Sequence, residues 1–254
     1  MDLAEAFLAG LIVAAITTPA GVSGAVLLLP VQVSLLGVPS PAVTPTNLLY
    51  NLFATPSGVL RYRKAGSGLS DLAWPLLAGT IPGVVLGAVI RVEWLAGERA
   101  FEIVVAAVLA PLGAFLLFTR PRTSGILRIP RNALALLAFA VGVVGGIYGI
   151  GGGSILAPIL LVTGYSAYQV APAALLSTMA ASIVGVASFL VLGWSGADGA
   201  VTPEWATGIA AGLGGVIGAF AGASAQPHIP EIALRRLLGA LVIGIAVRYV
   251  LQAA

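Results

Sequence analysis

The sequence specifies an all-α integral membrane protein built from two tandem repeats, and three observations lead there. Of its 254 residues 59% are hydrophobic and only 8% are charged, where a typical soluble domain carries about 25% charged residues. The mean hydropathy is +1.07. No charge occurs from Ala6 to Leu60, nor from Asn132 to Ala197, which leaves room for several spans of about 20 residues. These runs are continuous rather than alternating, which points to helices and not to an outer-membrane barrel. The chain also resembles itself. Gly21/Gly149, Gly24/Gly152 and Pro30/Pro158 match at an offset of 128. Val43/Val170, Pro45/Pro172, Leu48/Leu175, Leu49/Leu176, Gly58/Gly185 and Gly66/Gly193 match at 127, and Trp74/Trp205, Gly83/Gly214 and Gly87/Gly218 at 131. The halves fall at 1–125 and 126–254.

Leu3 to Gly37 is apolar but interrupted by Thr17-Thr18-Pro19-Ala20-Gly21-Val22-Ser23-Gly24, a breaker signal for a helix. At ~1.5 Å per residue neither arm crosses a ~30 Å hydrocarbon core comfortably. A re-entrant pair of half-helices, or one discontinuous span, fits better than one regular helix. After a Gly37–Pro41 turn, a helix from Val43 to Leu60 carries Asn47 and Asn51 one turn apart on one face and ends at Arg61, Arg63 and Lys64. Leu72 to Ile90 is the next span, with Gly79, Gly83 and Gly87 at the four-residue spacing of close helix packing. Arg91, Glu93, Glu98 and Arg99 read as a short, nearly neutral loop before a span from Phe101 to Phe118. Arg120, Arg122, Arg128 and Arg131 form the most basic loop.

The second half repeats this plan. Ala133 to Gly164 is interrupted by Gly145, Gly146, Gly149, Gly151, Gly152 and Gly153. Three consecutive glycines cost a helix about 1 kcal/mol each relative to alanine, so Gly151–Gly153 reads as a second break. Val170–Leu192, Trp205–Ala223 and Ala233–Leu251 follow as spans. Each half is thus a broken pair plus about three transmembrane helices, eight to ten membrane segments in all.

Basic residues favour the cytoplasmic side. Placing Arg61–Lys64, Arg120–Arg131, Arg235 and Arg236 inside, and the Lys/Arg-free stretch Gly193–Glu204 outside, requires the halves to be inverted relative to each other. Parallel repeats are the competing topology and would put Arg235 and Arg236 outside. The basic pI of 9.6 belongs to these loops and implies no nucleic-acid partner. The expected location is the inner (plasma) membrane, multi-pass, with the lipid bilayer as the principal partner. Met1-Asp2-Leu3-Ala4-Glu5 lacks the basic start of a cleaved signal peptide.

Chemistry is bounded by what is missing. The absence of cysteine excludes disulfides and thiolate sites. The one histidine, His228, lies in a Gln-Pro-His-Ile-Pro loop. No carboxylate pair, Ser-His-Asp set or metal cluster lies within the spans, so neither an enzyme nor a cofactor is expected. Asp71, Glu102, Glu204 and Glu231 sit near span ends.

What remains is hydroxyls, amides and backbone. A helix starting after Ser23-Gly24, or after Gly153-Ser154, presents unpaired N–H groups and a positive dipole end, which binds anions without a formal charge. Bare backbone at membrane depth is tolerated where it is buried in protein or lines a cavity. The candidate substrate-binding residues are therefore Gly21, Ser23, Gly24, Asn47 and Asn51 from the first half. Gly149, Gly151, Gly152, Gly153, Ser154, Ser177 and Thr178 are those of the second. Asn51 pairs with Thr178 by offset, and the side chains of Asn47, Asn51, Ser177 and Thr178 are expected to donate hydrogen bonds to an oxyanion. The alternative for each hydroxyl is a bond to its own helix, and for each glycine simple packing.

The run Gly146-Ile-Tyr-Gly-Ile-Gly-Gly-Gly-Ser-Ile-Leu-Ala-Pro-Ile-Leu160 resembles the signature of the sulfite exporter TauE/SafE family, also called the 4-toluene sulfonate uptake permease family. Length, duplication and the apolar-Pro-apolar segment before a short turn agree across nearly the whole chain. The first repeat departs from the signature, with Gly21-Val22-Ser23-Gly24-Ala25 in place of the triplet. The resemblance implies a secondary transporter of sulfur-containing anions such as sulfite or organosulfonates. With a midplane anion site between the breaks, the expected mechanism is alternating access. An anion channel, or a carrier of non-sulfur organic anions, is the alternative. Coupling to protons or another ion, and homo-oligomerisation, stay open.

Overall fold

The computed structural model describes residues 2–64, 71–118, 129–195 and 201–253, and every regular element among them is helical. Asp2 caps the first helix, α1 (Leu3–Thr17), its carboxylate accepting the Ala4 N–H at 2.9 Å. Pro19 ends α-helical pairing, and a single 3-10 turn, Thr18–Ala20, leads to Gly21. The chain re-enters helix at α2 (Ala25–Ser34), then runs through α3 (Val43–Lys64), α4 (Ala73–Glu93) and α5 (Glu98–Phe118). The second half gives α6 (Arg131–Tyr148), α7 (Gly153–Val162), α8 (Ala167–Trp194), α9 (Trp205–Ala225) and α10 (Glu231–Ala253). Ser166 and Gln169 close a capping box at the start of α8. His228 ends an exposed 3-10 turn between α9 and α10. Gly66, the basic-loop arginines Arg120, Arg122 and Arg128, and positions 196–200 of the Lys/Arg-free loop lie outside the described residues.

Six helices are long and apolar enough to cross a membrane: Leu3–Ala20, Ala73–Glu93, Phe101–Phe118, Arg131–Tyr148, Gln169–Trp194 and Trp205–His228. The other four helices fall outside that set for local reasons. α2 and α7 have 10 residues each, about 15 Å of helix. Among its described residues α10 carries one apolar stretch, Gly239–Leu251. α3 has 22 residues, about 33 Å, but it spends its composition on Thr44, Thr46, Asn47, Asn51 and Thr55. All five are buried. Their polar groups face protein, so the helix that hydropathy passes over is largely enclosed.

The glycine stripes work as close-approach surfaces. On α4, a Cβ at Gly79, Gly83 or Gly87 would overlap the carbonyl oxygens of Ala135, Phe139 and Val143 on α6. On α9, Gly214, Gly218 and Gly222 stand in the same way against Phe7, Leu11 and Ala15 on α1. Each half thus lends its first helix to the other half's fourth, and backbone approaches backbone without a side chain between, as small-residue stripes permit.

At the centre α3 and α8 cross antiparallel. Leu48 of α3 packs on Gly185 of α8, and Leu175 of α8 packs near Gly58 of α3, at 3.1 Å from the position of its Cβ. Along α5 and α10, Gly113 meets Ile243 and Leu117 meets Gly239, also antiparallel.

Arg91 departs from the loop reading. It lies in the last turn of α4 and is fully buried. Its Nε donates to Thr44 Oγ1 at 3.1 Å, Nη2 to Ser40 Oγ at 2.5 Å, and Nη1 to the Leu95 carbonyl. Its guanidinium carbon stands 4.1 Å from the centre of the Phe101 ring, within the range of a cation–π contact. Loop-like charge spacing concealed a clamp joining α3, α4, α5 and the segment before α3.

Candidate functional site

Glycine geometry makes the second break. Gly149 adopts the left-handed conformation at φ 82°, and its N–H returns to the Gly145 carbonyl at 2.8 Å, ending α6. Gly151 and Gly152 both have φ 70°, a region glycine enters at no steric cost and L side chains avoid. Gly152 then accepts the N–H groups of Ile155 and Leu156 at 3.0 and 3.2 Å, which starts α7. The first break needs less. Gly21 alone turns left-handed, at φ 72°, with its N–H on the Thr18 carbonyl at 2.9 Å. Gly24 stays right-handed and accepts from Leu27 and Leu28 at 3.0 and 2.9 Å, starting α2.

The two breaks meet. Ser23 N–H donates to Ser154 Oγ at 3.1 Å, and Ser154 Oγ–H donates to Ser23 Oγ at 2.9 Å. Tyr148 Oη–H reaches across to the Val26 carbonyl at 2.9 Å. Each break also presses on the opposite half's third helix. A Cβ at Gly149 would lie 3.2 Å from Thr44 Cα on α3, and one at Gly21 would lie 2.7 Å from Ala171 Cα on α8. Thr44 and Ala171 are equivalent at the 127 offset. The starts of α2 and α7, whose first turns close on the Gly24 and Gly152 carbonyls, therefore lie side by side in a fully buried setting.

Most hydroxyls nearby are occupied by their own helices. Thr17, Thr46, Thr55 and Thr80 donate to the carbonyls four residues back at 2.6 to 2.8 Å. Ser177 Oγ lies 2.8 Å from Thr80 Oγ1. The single Thr80 hydroxyl proton already goes to Leu76, so Ser177 is the donor of that pair and has no proton left for a ligand.

The asparagines, too, are held by backbone carbonyls. Asn47 Nδ2 donates to the Ala25 carbonyl at 2.9 Å, and Asn51 Nδ2 to the Gly149 carbonyl at 3.5 Å. With the amide protons directed at backbone oxygens, what these side chains leave unpartnered is Oδ1 in both cases. Each amide carries a second N–H as well, so these side chains offer acceptors beside the donors that the sequence suggested.

Three hydroxyls without partners remain beside the breaks: Thr178 Oγ1, Ser182 Oγ and Tyr50 Oη, all buried. A Cβ at Gly153 would stand 2.5 Å from Thr178 Oγ1, one at Gly151 would stand 3.0 Å from Ser182 Oγ, and one at Gly24 would overlap Tyr50 Oη. Buried polar groups are normally hydrogen-bonded, and an orphan costs about 1–3 kcal/mol. Three orphans against two helix starts are the mark of a polar seat. Sequence reasoning chose Thr178 but omitted Tyr50 and Ser182 from the site. Tyr50 lies three residues after Asn47, on the same helix face, and that spacing was its available signal.

Among the described residues no group of three or more His, Cys, Asp or Glu side chains could hold a metal ion. A buried polar crossing inside a bundle of apolar, membrane-length helices is the build of a multi-pass membrane protein. The comparison with known families agrees: the model described as "Sulfite exporter TauE/SafE" matches residues 6–249. The chain belongs to the TauE/SafE sulfite exporter family, whose members are membrane transporters of sulfite-type sulfur anions. No curated protein matches the chain.

Proposed function

We propose that this protein is a secondary transporter of small sulfur-containing oxyanions, sulfite or an organosulfonate, working by alternating access about the crossing of its two helix breaks. The anion sits against the first turns of α2 and α7, where N–H groups and the positive dipole ends supply attraction without a formal charge. Ser23 and Ser154 exchange their mutual bond for the ligand, and Tyr50, Thr178 and Ser182 donate from the flanks. The observation that carries this reading is the Ser23–Ser154 contact with three unpartnered buried hydroxyls around it.

The two halves act as inverted repeats of residues 1–125 and 126–254. Support comes from the antiparallel crossing of α3 and α8, in which Leu48 packs on Gly185 while their repeat mates Leu175 and Gly58 also meet. Equivalent helices related by an in-plane twofold axis run antiparallel, and sites in such folds lie at the repeat interface near the midplane. Rocking of one half against the other then exposes the crossing to each side in turn. The basic end of α3, Arg61, Arg63 and Lys64, lies on the cytoplasmic side by the positive-inside rule.

The test is a thermal-shift panel of sulfite, sulfate, thiosulfate, sulfoacetate, taurine and simple carboxylates, followed by counterflow in proteoliposomes. Stabilisation by a sulfur oxyanion with trans-stimulated exchange is expected. Exchange without trans-stimulation marks a channel, and a panel with no stabilising oxyanion removes the anion seat.

A further inference from the structure

We propose that the crossing carries a second, cation-binding subsite for a small monovalent ion, sodium being the natural candidate, formed by the side-chain oxygens of Asn47 and Asn51 at the C-terminal end of α6. The proposal deepens the anion-seat reading by naming its coupling ion, and it rests on separate atoms. Asn47 Oδ1 and Asn51 Oδ1 are buried acceptors with no hydrogen-bond partner. Their orientation is set by their own amide protons, which point at the Ala25 and Gly149 carbonyls. Turning either amide over would set oxygen against carbonyl oxygen. An acceptor cannot serve an anion. It requires a donor or a cation.

Both amides flank Gly149. Asn51 Nδ2 lies 3.5 Å from the Gly149 oxygen, and a Cβ at Gly149 would lie 3.2 Å from Asn47 Cβ. Gly149 is the C-cap of α6, so the negative end of that helix dipole lies beside both side chains. Neutral oxygens of amide and backbone type suit a hard cation. Unwound carbonyls and half-helix C-termini are the usual seats of coupling cations in broken-helix transporters.

Charge selects the valence. No carboxylate is among the oxygens identified here, so a divalent ion beside a singly charged anion, bisulfite or an organosulfonate, would leave uncompensated charge in a low-dielectric interior. One monovalent cation at the end of α6 and one monoanion at the starts of α2 and α7 make a neutral pair. Anion attraction by one set of helix ends and cation attraction by the other then couple through direct electrostatics. The same arrangement removes the need for a carboxylate proton relay.

The experiment melts the purified full-length protein in sodium chloride and in choline chloride at equal ionic strength, with no oxyanion present. It then measures sulfite uptake into proteoliposomes with and without an inward sodium gradient. Saturating sodium is expected to raise the melting midpoint by about 5 °C or more, and the gradient to raise initial uptake at least about tenfold. Asn51→Leu, similar in size and without the oxygen, should lose the sodium shift, while Asn51→Asp should keep it. Equal melting in sodium and choline overturns the proposal and leaves water as the occupant of those oxygens, as does a sodium shift retained in Asn51→Leu. If Asn51→Leu does not fold, the wild-type comparison decides alone. A sodium shift without any oxyanion shift would sink the anion seat and spare this subsite. An oxyanion shift identical in sodium and choline would do the reverse.

Discussion

The two helix breaks occupy equivalent places in the chain and solve the same problem by different means. Gly149–Gly153 turns through three positive-φ glycines, Gly149, Gly151 and Gly152, and its flanking helix α8 supplies free hydroxyls, Thr178 and Ser182. Pro19–Gly24 turns through Gly21 alone, and its flanking helix α3 supplies a phenol and two amide oxygens, Tyr50, Asn47 and Asn51. Hydroxyls can donate to an anion, whereas oriented amide oxygens cannot. The two breaks therefore have similar frames and different linings. Under the proposed function the glycine-rich break is the stronger anion seat, and its partner adds one donor and the acceptors.

The largest effect should come from breaking that frame. Gly152→Val places a β-branched side chain at φ 70° and ψ −48°, with its Cβ only 3.1 Å from Thr80 Cγ2 and 3.3 Å from Gly142 Cα. Transport should be abolished while the protein still inserts and purifies, as shown by proteoliposome uptake beside membrane yield. Wild-type uptake would return the glycine run to a packing role.

The two serines sharpen the comparison next. Ser154→Ala orphans the buried Ser23 N–H, a loss of about 1–3 kcal/mol. Ser23→Ala keeps that N–H bond and removes only the acceptor of the Ser154 proton. Sulfite affinity should fall about 10- to 100-fold for Ser154→Ala and about threefold for Ser23→Ala, measured by titrated thermal shift. Equal losses would mean that the breaks contribute alike.

Smaller effects are expected at the orphan hydroxyls, with opposite signs in two readouts. Thr178→Val and Tyr50→Phe each remove a buried hydroxyl that has no partner without ligand. The ligand-free protein should melt at the same temperature or up to a few degrees higher, since removing an unsatisfied buried group is neutral or favourable. Sulfite KM should rise about fivefold, more for Thr178→Val than for Tyr50→Phe. A drop in ligand-free stability with unchanged KM would make these hydroxyls structural.

Arg91→Lys should have the least effect on transport. It loses the planar fork that reaches Thr44, Ser40 and Leu95 and the stacking on Phe101, contacts a lysine cannot reproduce. The midpoint should fall by several degrees with KM within about twofold, read by melting and uptake on one preparation.

Much of this frame is visible in the sequence because it rests on covalent constraints. Pro19 with Gly21, and Gly149 with Gly151 and Gly152, are dense enough to interrupt a helix, and the four-residue spacing of Gly79, Gly83 and Gly87 favours close approach. Side-chain direction is less legible. Nothing in the spacing of Asn47 and Asn51 says that their amide protons turn to Ala25 and Gly149, because those carbonyls come from two distant segments. Nor does spacing separate Ser177, held by Thr80 on another helix, from Thr178 beside it, which is free. Tyr50 was hidden by its ring, which counts as apolar, and Arg91 by neighbours that resemble a loop.

The most direct measurement is a structure of the protein soaked with selenite, a heavier analogue of sulfite whose anomalous signal marks its position. The account predicts one peak at the crossing, with its oxygens at about 3 Å from Ser154 Oγ, Thr178 Oγ1 and the first N–H groups of α7. A peak only at the arginine-rich end of α3, or none at the crossing under conditions that support transport, would contradict it.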